Sequence, residues 1–165
     1  MLKILGGGNS DSDGFSAWAS NIYAIQWDTY YSPEKRFSVD FIIPDSLTDL
    51  NITDTQNKTK IKSQYTITSV TISPDSKNMD LDEKAVFVQK GLQKEGYDMI
   101  ETTHPVVIDD TIGYSFIADA DITISQFMYV QHNDKIYQIQ ISATPEFFMT
   151  FTNYIDDIVN SIKFF

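Results

Sequence analysis

The two histidines, His104 and His132, are the first residues to consider as catalytic bases in this chain. A serine hydrolase holds a serine, a histidine and a carboxylate within hydrogen-bond reach, which makes Ser115, His104 and Asp109 the combination to weigh. Ser115 lies in the segment GYSF rather than in a GxSxG turn, and it falls on a predicted strand. We therefore expect no hydrolytic triad, and we interpret the histidines as solvent-facing or turn-lining residues.

The acidic residues offer metal-binding or acid/base chemistry only where two of them converge. Glu101 and His104 are three positions apart, which places them on opposite faces of a regular strand. The adjacent pairs Asp109–Asp110 and Asp156–Asp157 are expected to diverge into solvent. The chain has no cysteine, so thiolate catalysis, disulfides and zinc fingers are excluded. The sequence predicts no catalytic residue, no metal site and no cofactor.

The stretch GGGNSDSDGFS, from Gly6 to Ser16, could be a phosphate loop, a calcium loop or a flexible segment. A GxGxxG phosphate loop fails because Asp11 stands where the third glycine belongs. An EF-hand loop fails because Ser20 occupies the position of the bidentate glutamate. We therefore interpret residues 1–14 as a flexible linker rich in Gly, Ser and Asp, and residues 15–165 as a single α+β domain.

Composition limits the classes of partner. The chain has 165 residues with 42% hydrophobic content, enough for one domain with a substantial core. Its net charge of −11 disfavours nucleic acid and anionic membrane surfaces. No apolar stretch approaches the length of a membrane span.

Strand periodicity dominates the first half of the chain. An aromatic segment from Ile25 to Tyr31 and the alternating segment from Phe37 to Phe41 flank the turn sequence SPEK, which predicts a hairpin. Residues 51–57 are predicted to be a polar loop. In the following segment, KTKIKSQYTITSVTISP, the alternation changes phase, which predicts a bulge or two shorter strands.

A helix and four strands are predicted next. The helix begins at Asp80, which resembles a capping box with Glu83, and ends near Glu95, before Gly96. Short turns rich in Asp and Asn join the four strands, so we expect an antiparallel meander. Its strands are predicted at about Asp98–Ile108, Thr111–Ala118, Ile122–His132 and Lys135–Ala143.

A long C-terminal helix is predicted from about Glu146 to Ile162, with Thr144 as N-cap and Pro145 at the first position. Its apolar stripe consists of Phe147, Phe151, Tyr154, Ile155, Ile158 and Ile162. The predicted fold class is an α+β sandwich, an antiparallel meander flanked by helices with the C-terminal helix packed on the sheet.

Phe87 does not belong to the apolar face of the first helix, and Gly91 follows it one turn later. An exposed phenylalanine beside a position without a side chain can form a shallow groove for a partner. We name Phe87 and Gly91 the partner patch, and we weigh it against a packing contact under a loop.

Two stretches carry a family resemblance. The segments YYSPEKRFSVDFIIPDSL and KIYQIQISATPEFFMTFTNYIDDIVNSIKFF resemble the opening and the close of PsbP-like domains, whose fold is shared with Mog-type Ran-binding proteins. The resemblance covers about Trp27 to Phe165, although Leu47 stands where the family often has Trp. It implies the sandwich architecture and noncatalytic binding to another protein, as in photosynthetic accessory subunits and bacterial envelope lipoproteins.

Two classes of function remain open. The linker resembles the spacer that follows the acylated cysteine of bacterial lipoproteins, although that cysteine is absent from this sequence. We expect a noncatalytic protein-binding or assembly module, tethered through an upstream lipid at the bacterial cell envelope. The alternatives are a small-molecule-binding or hydrolytic domain, and a cytoplasmic location. An exposed apolar patch favours the first class, and a deep pocket where a histidine meets a carboxylate favours the second.

Overall fold

The computed structural model describes residues 26–43, 49–74 and 80–165, and the predicted linker lies outside these ranges. The strands are β1 Gln26–Ser32, β2 Phe37–Ile43, β3 Asn51–Asp54, β4 Lys58–Lys62, β5 Thr66–Pro74, β6 Asp98–Ile108, β7 Thr111–Asp119, β8 Ile124–His132, β9 Lys135–Ala143 and β10 Lys163–Phe164. The helices are α1 Leu81–Lys94, α2 Pro145–Thr150 and α3 Thr152–Ser161.

The described strands form two antiparallel sheets. The larger has the order β3-β4-β5-β9-β8-β7-β6, and the smaller has the order β1-β2-β10. Strands β6 to β9 pair in sequential order, which confirms the predicted meander. Strands β1 and β2 pair along their whole length, which confirms the predicted hairpin. The α+β fold class is therefore confirmed.

The main core lies between the two sheets and is built from alternate residues of the strands. In β9, Tyr137, Ile139 and Ile141 are buried, whereas Gln138 and Gln140 on the opposite face are partly exposed. From the smaller sheet, β2 contributes buried aromatic and aliphatic side chains to the same core. The hydroxyl of Tyr137 donates a hydrogen bond of 2.9 Å to the carbonyl oxygen of Lys35, which fixes the turn between β1 and β2 against the larger sheet.

A second, smaller core lies on the other face of the larger sheet, under α1. Ala85 of α1 and Ala118 of β7 are both fully buried, and such small side chains let the helix approach the sheet closely. Phe116 and Phe127 stack beneath the helix with ring centroids 4.9 Å apart. The helix contacts β6, β7 and β8, so it covers one half of this face.

The C-terminal helical segment differs from the prediction of one long helix. Thr144 does cap its start, since the Thr144 side chain accepts a hydrogen bond from the Phe147 amide, as predicted. The helix breaks at Phe151, whose φ of −122° and ψ of 43° are not helical. The result is two short helices, α2 and α3. With the chain redirected at Phe151, Phe147 and Phe148 of α2 and Ile158 of α3 all belong to the main core.

The prediction of a polar loop at residues 51–57 is wrong for residues 51–54, which form β3 at the edge of the larger sheet. All four residues of β3 are exposed, so no alternation of polar and apolar residues marked it as a strand. The change of phase predicted downstream is confirmed, because β4 and β5 are two strands joined by a turn at residues 63–65.

We expect Ile158→Ala to lower the free energy of unfolding by about 2 to 5 kcal/mol, because Ile158 of α3 is fully buried and its truncation leaves a cavity. Ile122, 81% exposed in a turn, is the matched control, and Ile122→Ala should change stability by less than about 0.5 kcal/mol. Urea denaturation of both variants measures the difference, and equal losses would contradict the described packing of α3.

Candidate functional site

The residues of the hydrolase triad are each engaged elsewhere. Ser115 is fully buried, and its hydroxyl accepts a hydrogen bond of 3.2 Å from Nε2 of Gln126. His104 donates through Nδ1 to the carbonyl oxygen of Thr102 at 2.9 Å. The carboxylate of Asp109 is bound by residues of β10, described below. No nucleophile, base and orienting carboxylate converge among these residues, so their geometry does not support acyl transfer.

The prediction that Glu101 and His104 lie on opposite faces of a strand is wrong. Register shifts interrupt the pairing of β6 with β7 at Glu101, so β6 is not regular there. Oε2 of Glu101 lies 3.8 Å from Nε2 of His104, and both side chains are about half exposed. The pair is therefore a surface contact, and the described part of the chain contains no cluster of three or more potential metal ligands.

Asp109 has a structural role at the hairpin between β6 and β7. Asp109 and Asp110 both have positive φ, 48° and 59°, as a two-residue turn of type I′ requires. One carboxylate oxygen of Asp109 accepts the backbone amide of Phe164 at 2.7 Å, and the other accepts Nζ of Lys163 at 3.1 Å. The Phe164 amide, followed by the Lys163 ammonium, holds the pKa of Asp109 below its usual value, although partial burial opposes this shift.

We expect Asp109→Asn to destabilise the protein at neutral pH by about 1 to 2 kcal/mol, because the two donors lose a charged acceptor. The pKa of Asp109 is lower in the folded than in the unfolded protein. The carboxylate therefore adds to the free energy of unfolding at pH values above its unfolded pKa near 4, and this stabilisation disappears as the pH falls through the folded pKa. The difference between wild type and variant should therefore narrow in acid.

Denaturant titrations between neutral pH and about pH 3 measure that difference. Asp110→Asn at the neighbouring left-handed position is the control for the turn backbone. A gap between wild type and Asp109→Asn that stays constant over this pH range would contradict the assignment.

The partner patch lies on the outer side of α1. Phe87, which the sequence places off the apolar face of the helix, is 68% exposed. At Gly91, one turn later, an added Cβ would meet nothing within 4 Å. Among the described residues there is thus open space beside the helix at the side next to Phe87.

Among the described residues, α1 leaves one half of the larger sheet uncovered, and this mostly polar surface is called the open face. In β4, Thr59 and Ile61 are buried in the direction of the main core, so the lysines between them point to the opposite face. Cross-strand pairing places polar side chains of β5 and β9 beside them. On β4, β5 and β9 the open face consists of Lys58, Lys60, Lys62, Ile67, Ser69, Thr71, Ser73, Ile136, Gln138, Gln140 and Ser142, of which Ile136 and Ser142 are buried.

The open face could not be recognised in the sequence, because strand register creates it. The alternation in KTKIK shows which residues of β4 share a face, but not which strands lie beside it. The neighbours come from residues far apart in the chain, since β5 pairs with β9 rather than with a strand adjacent in sequence. The alternation of lysines in KTKIK was the sequence signal from which the lysine-bearing face of β4 could have been found.

A cavity of about 510 Å³ lies where three turns meet at one end of the sheets. Arg36, Asp134 and Lys135 line it together with Tyr137 at its base. Burial raises the pKa of the Tyr137 hydroxyl, while the charge of Arg36 acts in the opposite direction. Neither histidine lines this cavity, so it lacks the contact between a histidine and a carboxylate that would favour hydrolysis.

Asp54 at the end of β3 joins this end of the larger sheet to the smaller one. Its carboxylate accepts hydrogen bonds from the buried ammonium of Lys35, from Thr59 and from Tyr30. Burial alone would raise the pKa of Asp54, but Lys35 and the two hydroxyls outweigh it and lower the pKa. Lys35 is therefore held in a structural ion pair, so that among the described residues Arg36 and Lys135 are the cations exposed to the cavity.

Comparison with known proteins identifies the fold. No family model and no curated protein sequence matches the chain. Its structure is similar to the solution structure of cyanobacterial PsbP (CyanoP) from Synechocystis sp. PCC 6803, with a TM-score of 0.63, 12% identity and coverage of 84% of this chain and 92% of that one. It is also similar to the structure of a mutant form of the protein Mog1, with a TM-score of 0.52, 9% identity and coverage of 84% of this chain and 96% of that one.

These similarities confirm the expected fold, shared by PsbP-like and Mog-type domains. At such low identity they establish architecture and leave function to the features of the chain itself. No helix within the described residues combines the length and the apolar character needed to span a membrane.

Proposed function

We propose that this chain is a noncatalytic protein-binding or assembly module. The observation that carries the proposal is Phe87, 68% exposed on α1 beside the open space at Gly91. The resemblance to PsbP-like and Mog-type domains implies the same kind of function, and the dispersed residues of the hydrolase triad provide no competing chemistry.

An exposed phenylalanine is a strong contributor to a protein interface when a partner buries it. Full burial of a phenylalanine side chain is worth roughly 1.5 to 3 kcal/mol, and aromatic anchors near the centre of an interface dominate binding energy. Gly91 leaves room for a partner side chain against the helix backbone. The partner in this proposal is another protein, in agreement with the acidic chain disfavouring nucleic acid.

The proposal extends to location. Residues 1–14 are rich in Gly, Ser and Asp, as expected of a spacer between a lipid anchor and a folded domain. We place the domain at the bacterial cell envelope, held by a lipid on a cysteine encoded upstream of Gly6. Metabolic labelling of the protein expressed from its complete gene with an alkyne fatty acid tests this placement, and absence of lipid label would contradict it.

Photo-crosslinking tests the partner patch. We expect the crosslinking amino acid p-benzoylphenylalanine, introduced at position 87, to give one discrete adduct in the producing cells. The same amino acid at position 122, replacing another highly exposed residue, is the matched control and should not give that adduct. Gly91→Trp in the labelled protein should remove the adduct, because the indole fills the space beside the helix.

Competition makes the result specific. Excess unlabelled wild-type domain should suppress the adduct, whereas excess domain with Phe87→Ser should not. Identical adduct patterns from positions 87 and 122, or an adduct that the wild-type domain fails to suppress, would contradict a binding role for the partner patch.

The cavity beside Tyr137 favours a second candidate, a small-molecule-binding or hydrolytic domain. Its volume of about 510 Å³ falls within the usual range of ligand pockets, and it presents both cations and a carboxylate. Under our proposal, screens with ester, phosphate, peptide and glycoside substrates give no turnover above buffer. Turnover that a folded Arg36→Gln or Asp134→Asn variant has lost would favour the second candidate instead.

A further inference from the structure

The open face and α1 together form a groove. Its floor is β9 and β5, where Gln138 and Gln140 lie opposite Thr71 and Ser69. One wall is α1, which covers β6, β7 and β8. No described helix covers β9, β5 and β4 on this side, and three strands spaced about 4.8 Å apart give a width of roughly 10 to 14 Å, which accommodates one peptide segment.

The other side of the groove is a row of three lysines on β4. Lys58, Lys60 and Lys62 are exposed, and they point to the same side of the sheet as Ser69 and Thr71. Alternate residues of a strand are about 6.6 Å apart, so the row spans roughly 13 Å. Lys84 of α1 lies at one end of the groove, with its Nζ 3.5 Å from the hydroxyl of Ser73.

This row is unusual in a chain with a net charge of −11. It holds three of the 12 Lys and Arg residues, and no ion pair within the described ranges involves any of the three. The lysines that do form ion pairs in those ranges, Lys35 and Lys163, each bind an aspartate. The uncompensated positive charge is therefore concentrated along one side of the groove.

Protection of a sheet edge does not account for the row. Lysines that prevent edge-to-edge aggregation belong on an edge strand. The edge strand here is β3, whose sequence NITD has no lysine, and the three lysines lie on the next strand inward.

We infer that the groove binds an acidic segment of a partner protein, with carboxylates of the segment on Lys58, Lys60 and Lys62. This inference rests on the proposed function in taking the partner to be a protein, and it adds the chemistry of the segment. An extended segment with an acidic residue at every second position matches the spacing of the lysines. The hydroxyl and amide groups of the floor pair with peptide groups of the segment.

Other polyanions fit the surface less well. The floor and the lysine row contain no aromatic side chain on which a nucleobase could stack. They also contain no arginine, the residue best suited to bidentate binding of phosphate. Lysine ammonium groups bind single carboxylates as point charges, which agrees with an acidic peptide.

The test uses a synthetic peptide of roughly ten residues with glutamate at alternating positions and serine or threonine between them. Its control peptide has glutamine in place of each glutamate. Backbone amide chemical shifts of the isotope-labelled wild-type chain report where each peptide binds. We expect shifts concentrated in β4, β5 and β9 with the glutamate peptide only, and affinity that falls as the salt concentration rises from about 0.05 to about 0.5 M.

Two matched double variants distinguish an effect of the lysine row from an effect of the overall charge of the chain. Lys60→Gln with Lys62→Gln should weaken the peptide about tenfold, whereas Lys90→Gln with Lys94→Gln, which removes the same charge from exposed positions of α1, should weaken it less than about twofold. Absence of binding at millimolar peptide, or equal effects of the two double variants, would overturn the inference.

Two further outcomes are informative. Shifts confined to the cavity around Arg36 and Lys135 would overturn the groove as the site. A heparin hexasaccharide that binds the groove more tightly than the peptide would overturn the choice of a protein segment. The double variant Lys60→Gln with Lys62→Gln also separates this inference from the proposed function. If this variant still forms the adduct at position 87 in cells and binds the peptide as tightly as wild type, the inference of an acidic segment is refuted, whereas the proposed protein-binding function is not.

Discussion

The alternation of buried and exposed side chains along β9 is the constraint on which the rest of this structure depends. β9 lies at the centre of the larger sheet, between β5 and β8. Its buried residues, among them Ile139 and Ile141, help to form the main core shared with the smaller sheet. A shift of one residue would bury Gln138 and Gln140 and expose this core, at a cost that few other contacts could offset. The alternation thus fixes which side of the sheet packs and which side is left for binding.

The smaller sheet is held in place by polar contacts at one end of this core. Tyr137 of β9 binds the carbonyl oxygen of Lys35, and the ammonium of Lys35 binds Asp54 at the end of β3. These contacts join both sheets through one turn. The buried ammonium of Lys35 is neutralised by Asp54 in this way. The lysines of β4 have no such ion-pair partner within the described ranges, so the lysine row keeps its positive charge.

Much of the fold was predictable because the pattern of a long alternating or amphipathic segment indicates which of its sides is buried. β9 and the hairpin of β1 and β2 are examples, and α1 was recognisable between Asp80 and Gly96. The missed features have no such pattern. β3 is exposed on both faces, the break at Phe151 is a single non-helical residue, and the irregular pairing in β6 that brings Glu101 to His104 depends on β7.

The candidate site shows the same division. Phe87 could be singled out from the sequence because one apolar residue off a helical stripe is visible in a single segment. The groove could not be recognised, because its wall, floor and lysine row come from α1, from the hairpin of β4 and β5, and from the distant strand β9, which only the sheet order brings together. A binding surface assembled by register is visible in the sequence only as isolated polar residues with no assigned neighbours.

Lysine reactivity in the native setting measures occupancy of the groove most directly. Intact or gently extracted producing cells are treated briefly with an amine-acetylating reagent, and modification at each lysine is quantified by mass spectrometry against the purified chain. The account predicts that Lys58, Lys60 and Lys62 are protected in the native sample, whereas Lys163 on β10, whose side chain is 57% exposed, reacts equally in both samples. Equal modification of all four lysines in the two samples would contradict a bound acidic partner.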